Sequence, residues 1–187
     1  MFSIIVVTFN SAKFIKPCLD SIFNQWCENL EVIVVDNGSK DQTLDFIKEN
    51  YPKVRLITNK KNLGACQAKN QGIEIASSEW ILTLDCDVAL IGGGFIREMM
   101  EFANNAGDSI GMIQPKILTQ GKKEIYSCGI HLSWLSRFHD IGKGLADRQR
   151  FDVALPIFGA CCAAALYRRK MLEELKPLAP IMQGAAG

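Results

Sequence analysis

Two aspartates separated by one residue, Asp85-Cys86-Asp87, follow directly on the apolar run Trp80-Ile-Leu-Thr-Leu84. Carboxylates set so close to a core are costly unless a cation compensates them. In an extended segment, residues two apart point the same way, so Asp85 and Asp87 can converge while Cys86 turns inward to pack. A hard divalent cation, Mg²⁺ or Mn²⁺, prefers such oxygen ligands and completes its shell with phosphate oxygens, which makes a diphosphate the natural third party.

Three more polar groups follow apolar runs in the same way: Thr8-Phe9-Asn10-Ser11, Asp36-Asn-Gly-Ser-Lys-Asp41 and Asn59-Lys-Lys-Asn-Leu-Gly64. Each also has a plain explanation. Asn10 or Ser11 would cap the next helix, Gly38 would supply a positive φ in a turn, and Ser39 or Asp41 would cap the helix after it. Lys60 and Lys61 fit a solvated loop, with added positive charge near phosphates as the alternative.

The elements needed to gather these groups are legible in the periodicity. Ser3–Thr8, Glu31–Val35, Val54–Thr58 and Trp80–Leu84 are short apolar, β-branched runs, as strands covered on both faces should be. Between them, residues 12–25, 43–50 and 65–76 carry apolar side chains at helical spacing, and a further helix is expected over 95–106. The alternation predicts an α/β fold, a Rossmann-like, mostly parallel sheet flanked by helices. In such sheets ligands bind beyond the carboxyl ends of the strands, where all four polar groups would lie.

Composition removes several classes of function. The 187 residues are 48% hydrophobic and 22% charged with a formal charge of +1, which excludes nucleic acid as an electrostatic partner. Seven cysteines without a CxxC pair, and only two histidines, argue against a disulfide framework or a zinc site and for a reducing, cytoplasmic compartment. The longest apolar run, Leu155–Tyr167, is short of the about 20 residues of a membrane helix, and no basic leader precedes Ser3; peripheral membrane attachment stays open. Gly92-Gly-Gly94 lacks phosphate-loop spacing and is expected to be a turn. His131 and His139 are expected to be structural, with a mobile loop over the ligand, built on His139-Asp140, Gly142 and Gly144, as the alternative. Cys161 and Cys162 are expected in the core.

Taken together, Ile5-Val-Val-Thr-Phe-Asn10, Val34-Val-Asp-Asn-Gly-Ser-Lys-Asp41, Asn62-Leu-Gly64 with Ala68, Asn70 and Gly72, and Leu84-Asp-Cys-Asp87 resemble family 2 glycosyltransferases in order and spacing. Phe158–Arg169 is similar to the segment before the acceptor-side helix in the rhamnosyltransferase-like branch. The resemblance implies a GT-A fold over residues 1–187, with 1–110 as the nucleotide-sugar-binding half and 111–187 as part of an acceptor half. It implies a nucleotide-diphospho-sugar donor, with dTDP or UDP favoured, and a glycan or lipid-linked acceptor, joined by an inverting, metal-assisted displacement. Asp36 would accept hydrogen bonds from the donor base, Thr8, Phe9 and Asn10 would line its pocket, and Asn62 and Gly64 would complete it. Asp85 would sit near ribose and metal, and Asp87 would ligate the metal.

The same branch carries a Glu-Asp pair after this helix, whose carboxylate is taken to deprotonate the acceptor. Here Met171–Lys176 runs into Pro177–Gly187 without that pair, and Glu173 and Glu174 come too early, so the catalytic base is expected beyond residue 187. Donor binding without robust transfer is the corresponding expectation. A non-catalytic nucleotide-sugar-binding module is the first alternative. The second is a haloacid-dehalogenase-type phosphatase, in which the aspartate pair would follow the first strand rather than the fourth.

Overall fold

The computed structural model describes residues 2–27, 29–121 and 123–175. Strand and helix alternate through β1 (Phe2–Thr8), α1 (Ile15–Phe23), β2 (Leu30–Asp36), α2 (Thr43–Asn50), β3 (Arg55–Thr58), α3 (Ala65–Ile75), β4 (Trp80–Asp85) and α4 (Phe95–Asn105). Short strands follow: β5 (Met112–Ile113), β6 (Ile117–Leu118), β7 (Ile125–Ser127), β8 (Ile130–Leu132) and β9 (Phe138–Asp140). A long return brings β10 (Ala164–Arg168) back into the sheet, and α5 (Arg169–Leu175) leaves it.

The main sheet has the order β3-β2-β1-β4-β10-β5. The first four strands are parallel, while β10 runs antiparallel to both β4 and β5. Helices cover both faces, so β1 must be apolar on both sides, and its alternate residues divide accordingly. Ile4 and Val6 pack with Ile15, Leu19 and Ile22 of α1, Ile47 of α2 and Ile96 of α4, whereas Ile5 packs with Ile33, Val35 and Ala68 of α3. A Cβ at Gly72 would lie 2.5 Å from Ile5 Cγ2, so α3 closes directly onto β1. Ala68 and Gly72 of the sequence motif are therefore packing residues.

The expected architecture is borne out. Thr8 is paired with Asp36 and Val7 with Asp85, which puts the ends of β1, β2 and β4 side by side at one carboxyl edge. Helix α1 is shorter than expected because Phe14 N and Ile15 N donate to Ser11 O, leaving residues 12–14 as a turn before it. No side chain caps it, so neither Asn10 nor Ser11 has that task. Gly92 has φ +78° and its carbonyl accepts from Gln25 Nε2 at 2.6 Å, so the Gly92–Gly94 segment is a turn fastened to the end of α1, as expected.

One alternative and one expectation fail. His139 lies in a strand of the β8–β9 hairpin, opposite His131, and Ile141 is bonded on both sides to the Cys128–Gly129 backbone. No loop over the carboxyl edge is built from that segment. Cys161 is only half-buried and Cys162 is exposed, because the chain crosses the sheet edge there before β10 begins. Among the described residues no helix is long and apolar enough to cross a membrane.

Candidate functional site

At the carboxyl edge the backbone turns away from the sheet and leaves polar side chains facing one another. Asp36 and Asn37 are both almost fully buried. Asn37 joins the ends of β2 and β3: its Nδ2 donates to Asn62 Oδ1 at 2.8 Å and to Gly64 O at 3.3 Å, while its Oδ1 accepts from Leu63 N at 3.0 Å and Asn59 Nδ2 at 3.1 Å. Asn59 is held in turn by a reciprocal pair of amide bonds with Gln71 of α3. Gly38, at φ +86°, lies under this loop, and a Cβ there would meet Lys61 C at 2.8 Å. Asn62 and Gly64 thus shape the loop through Asn37, and Lys60 and Lys61 are exposed on it.

The β1 end is tied to the same assembly. Asn10, at φ +49°, donates its amide to Ser39 Oγ at 2.9 Å and accepts from Lys40 N at 2.8 Å. Asp41 accepts from Ala12 N and from Thr43 N, closing the start of α2. Slight burial pushes its carboxyl up, but the Thr43 and Ala12 bonds outweigh this and hold it below the usual range. Phe9 presents a partly exposed ring beside them.

Two buried polar atoms at this edge have no partner. Asp36 Oδ2 accepts from Ser39 N at 3.1 Å, but Asp36 Oδ1 accepts from nothing among the described residues, and neither does Thr8 Oγ1 bond in good geometry. Thr8 and Asp36 are register partners on adjacent strands, so the two orphaned oxygens belong to one place. Buried polar groups are otherwise almost always satisfied, and leaving one unmade costs about 1–3 kcal/mol. The third orphan, Arg168 Nε, lies at the opposite edge, where Arg168 stacks on Trp80 and donates to Ala106 O and Gly107 O. Arg169 is there too, bonded to Ala76 O and Ser78 O.

The aspartate pair stands just past β4. Asp85 N is fixed by Ala163 O at 2.9 Å, and Asp85 Oδ1 forms an ion pair with Lys69 Nζ at 2.9 Å, which also donates to Cys162 O at 2.6 Å. The compensating cation inferred for these carboxylates is thus supplied in part by a lysine of α3. Lys69 escaped the sequence reading because its contact depends on the β3–α3 crossover carrying the first turns of α3 over the end of β4; Asn37 escaped because a turn explained it well enough. Cys86 faces inward as expected, its thiol 3.0 Å from Ser11 Oγ. Burial pushes that thiol up, partly offset by the Ser11 hydroxyl, and burial pushes Cys18 beneath it up to about 12, reinforced by Cys86, Asp87 and Asp85.

Asp87 is exposed and has no hydrogen-bond or ion-pair partner among the described residues. Among the described residues no cluster of three or more His, Cys, Asp or Glu assembles for a metal. The chain offers two carboxylates, one shared with Lys69, which suits an ion that draws its other oxygens from phosphate and water rather than a cage made wholly by protein. An apolar cavity of about 970 Å³, lined by Met99, Phe102, Ile113, Leu155 and Met171 among others, shares no residue with this edge.

The family model for glycosyl transferase family 2 matches residues 3–176. The chain belongs to glycosyl transferase family 2. Membership, together with an aspartate pair placed after the fourth strand, sets aside the phosphatase alternative. A PGL/p-HBAD biosynthesis glycosyltransferase of Mycobacterium tuberculosis is 31% identical over 180 residues, covering 95% of this chain. The chain spans 62% of that relative's length. Among solved structures, S. aureus TarS 1–349 in complex with UDP-GlcNAc superposes with a TM-score of 0.62 at 22% identity, over 92% of this chain and 48% of that one. The mannosyltransferase PcManGT from Pyrobaculum calidifontis, in complex with GDP-Man and Mn²⁺, gives 0.65 at 20% identity, over 94% and 46%. These likenesses establish the GT-A fold. The stretch after Lys176, where the acidic pair would be sought, lies outside the described residues, as does the end of the 111–187 segment.

Proposed function

We propose that this family 2 domain binds a nucleotide-diphospho-sugar at the carboxyl edge of β1, β2 and β4 and serves a glycosyltransferase that delivers the sugar to a glycan or lipid-linked acceptor with inversion. The observation that carries the reading is the pair of orphaned buried oxygens, Thr8 Oγ1 and Asp36 Oδ1, side by side at that edge. A nucleobase presents ring N–H donors, and Asp36 Oδ1 is a charged acceptor already desolvated for one. Its other oxygen is committed to Ser39 N, so the carboxylate is held in orientation before any ligand arrives.

The flanking residues take roles consistent with their partners. Asn10, Asn62 and Gly64 hold the rims of the base pocket through Ser39, Lys40 and Asn37, and Phe9 offers an apolar face beside it. Asp85, fixed by Lys69, faces the ribose and phosphates. Asp87, with Asp85 beside it, would hold Mg²⁺ or Mn²⁺, which when bound neutralises charge on the departing nucleoside diphosphate. Support comes from the solved neighbours, one with GDP-Man and Mn²⁺ and one with UDP-GlcNAc. Residues 1–110 form the donor half in this reading and 111–187 contribute to the acceptor side, in a cytoplasmic protein.

Calorimetric titration of UDP, dTDP and GDP, with Mn²⁺ and with EDTA, tests the assignment. Asp36→Asn should weaken binding in both buffers, because it replaces an acceptor by a donor. Asp87→Ala should lose about tenfold or more in Mn²⁺ and little in EDTA. Equal losses for Asp87→Ala in the two buffers would remove its metal role, and unchanged affinity for Asp36→Asn would remove the base pocket.

A further inference from the structure

The β8–β9 hairpin breaks the usual rule for turns. Its loop is fastened by three bonds: Ser133 N donates to Arg137 O at 2.9 Å, Ser136 N to Ser133 O at 2.9 Å, and Arg137 N to Ser133 Oγ at 3.1 Å. Ser136 adopts φ +56°, the left-handed position that closes a three-residue hairpin loop. Such loops normally carry small polar residues outermost. Here the outermost positions hold Trp134, 91% exposed, and Leu135, 55% exposed. Phe138 and Phe158 extend the surface behind them, with ring centroids 5.5 Å apart and both rings more than half exposed.

We propose that this hairpin tip is a membrane-contact element that seats Trp134 and Leu135 in an anionic lipid surface. Two features favour lipid over a protein partner. The apolar side chains sit at the apex of a convex turn, whereas hot-spot aromatics in protein interfaces sit at the centre of packed, desolvated patches. Charge is also graded along the hairpin. Apolar groups lie at the apex, Arg137 lies behind it, and no acidic residue occurs between Glu124 and Asp140. Asp140, the nearest acid in sequence, is engaged by Lys143. Apolar tip first and the Arg137 guanidinium second matches the order from acyl chains to anionic headgroups.

The tip is also wired to the carboxyl edge. Phe158 N and Gly159 N donate to Ile130 O, and within a few residues Cys162 O receives Lys69 and Ala163 O receives Asp85 N. A surface engaged by the hairpin is therefore linked by one short segment to the aspartate pair. The proposal itself stands on the hairpin alone and requires no nucleotide.

Sedimentation of the 187-residue chain with vesicles tests it, using phosphatidylcholine alone and equal mixtures of phosphatidylcholine and phosphatidylglycerol. The chain should pellet with the mixed vesicles, less so at high salt, and in a Trp26→Phe background brominated acyl chains should quench the part of the emission that Trp134→Ala removes, the remaining Trp80 being buried. Trp134→Ala should lower vesicle affinity about tenfold or more, the scale of withdrawing one large apolar side chain, with circular dichroism unchanged. Arg137→Gln should lower it less and reduce the salt dependence. Equal binding by Trp134→Ala, binding to phosphatidylcholine alone as strong as to the mixture, or a lipid-free oligomer that Trp134→Ala dissolves would each overturn the proposal, the last by showing that the tip meets protein.

Discussion

The loops at the ends of β2 and β3 and the turn of the β8–β9 hairpin are both held by short side-chain-to-backbone bonds, yet they hide opposite things. In the first, a polar residue is buried: Asn37 is 2% exposed and spends its whole amide on the neighbouring loop. In the second, apolar residues are displayed, with Trp134 and Leu135 carried on a turn whose bonds are made by the two serines between which they stand. The first arrangement preorganises a concave polar edge, where any further reorganisation on binding would cost affinity. The second stiffens a convex apolar point. One molecule thus shows polar order used to receive a ligand and polar order used to present a surface.

The comparison breaks most visibly if Asn37 is removed. Asn37→Ala would take from Asn59, Asn62 and the Leu63 amide the buried partner they share and leave a gap beneath the loop. We expect a loss of about 3 kcal/mol in urea denaturation, the sum of lost bonds and unsatisfied partners. A loss below about 1 kcal/mol would show that the two loops support each other without it.

How much of this was visible beforehand follows the same division. Asp36, Thr8 and Asp85 were legible because parallel register needs only strands of the right length: once Ser3–Thr8, Glu31–Val35 and Trp80–Leu84 are strands, their ends must meet. Gly38 was legible as a positive-φ turn, though not its approach to Lys61. Lys69 was hidden because a lysine inside a helix looks solvated until the helix is laid across β4. The hairpin was hidden more deeply. Its strands have three residues each, too few to show a period, and His131 and His139 become neighbours only through a register that local sequence does not impose. Cys161 and Cys162 misled because small apolar residues suggest a core, while here they belong to a crossing segment.

A smaller effect tests whether buried polar order extends beyond the site. At the amino edge, Glu31 accepts from Ser3 Oγ at 2.6 Å, from Ser77 N and Oγ at 2.9 Å, and from Arg55. Burial pushes its carboxyl up, but these bonds outweigh burial and hold it below its ordinary 4.5. A depressed carboxylate contributes stability that is fully present above the unfolded value and is lost as pH falls through the folded one. The chain should therefore lose stability on acidification below about pH 4.5, and Glu31→Gln should remove about 1 kcal/mol of that acid-dependent part. Thermal melts at neutral and acidic pH check it. Parallel pH profiles for wild type and Glu31→Gln would show that the cluster carries no linkage.

The smallest expected effect sharpens the comparison from the other side. Trp134 and Leu135 bury little in the chain itself, so removing them forfeits little folding energy, and the bonds that hold their turn come from Ser133, Ser136 and Arg137. Trp134→Ala and Leu135→Ala should each shift stability by no more than about 0.5 kcal/mol, against the about 2–5 kcal/mol expected for truncating a buried residue such as Leu82 or Ile5. Urea midpoints for the four variants provide the measurement. A near-zero cost at the tip beside a large one in the core would mean that folding does not account for the apolar side chains of this turn. A cost at Trp134 above about 1.5 kcal/mol would instead show that the indole packs on its own domain, and the display of an outward surface would lose its basis.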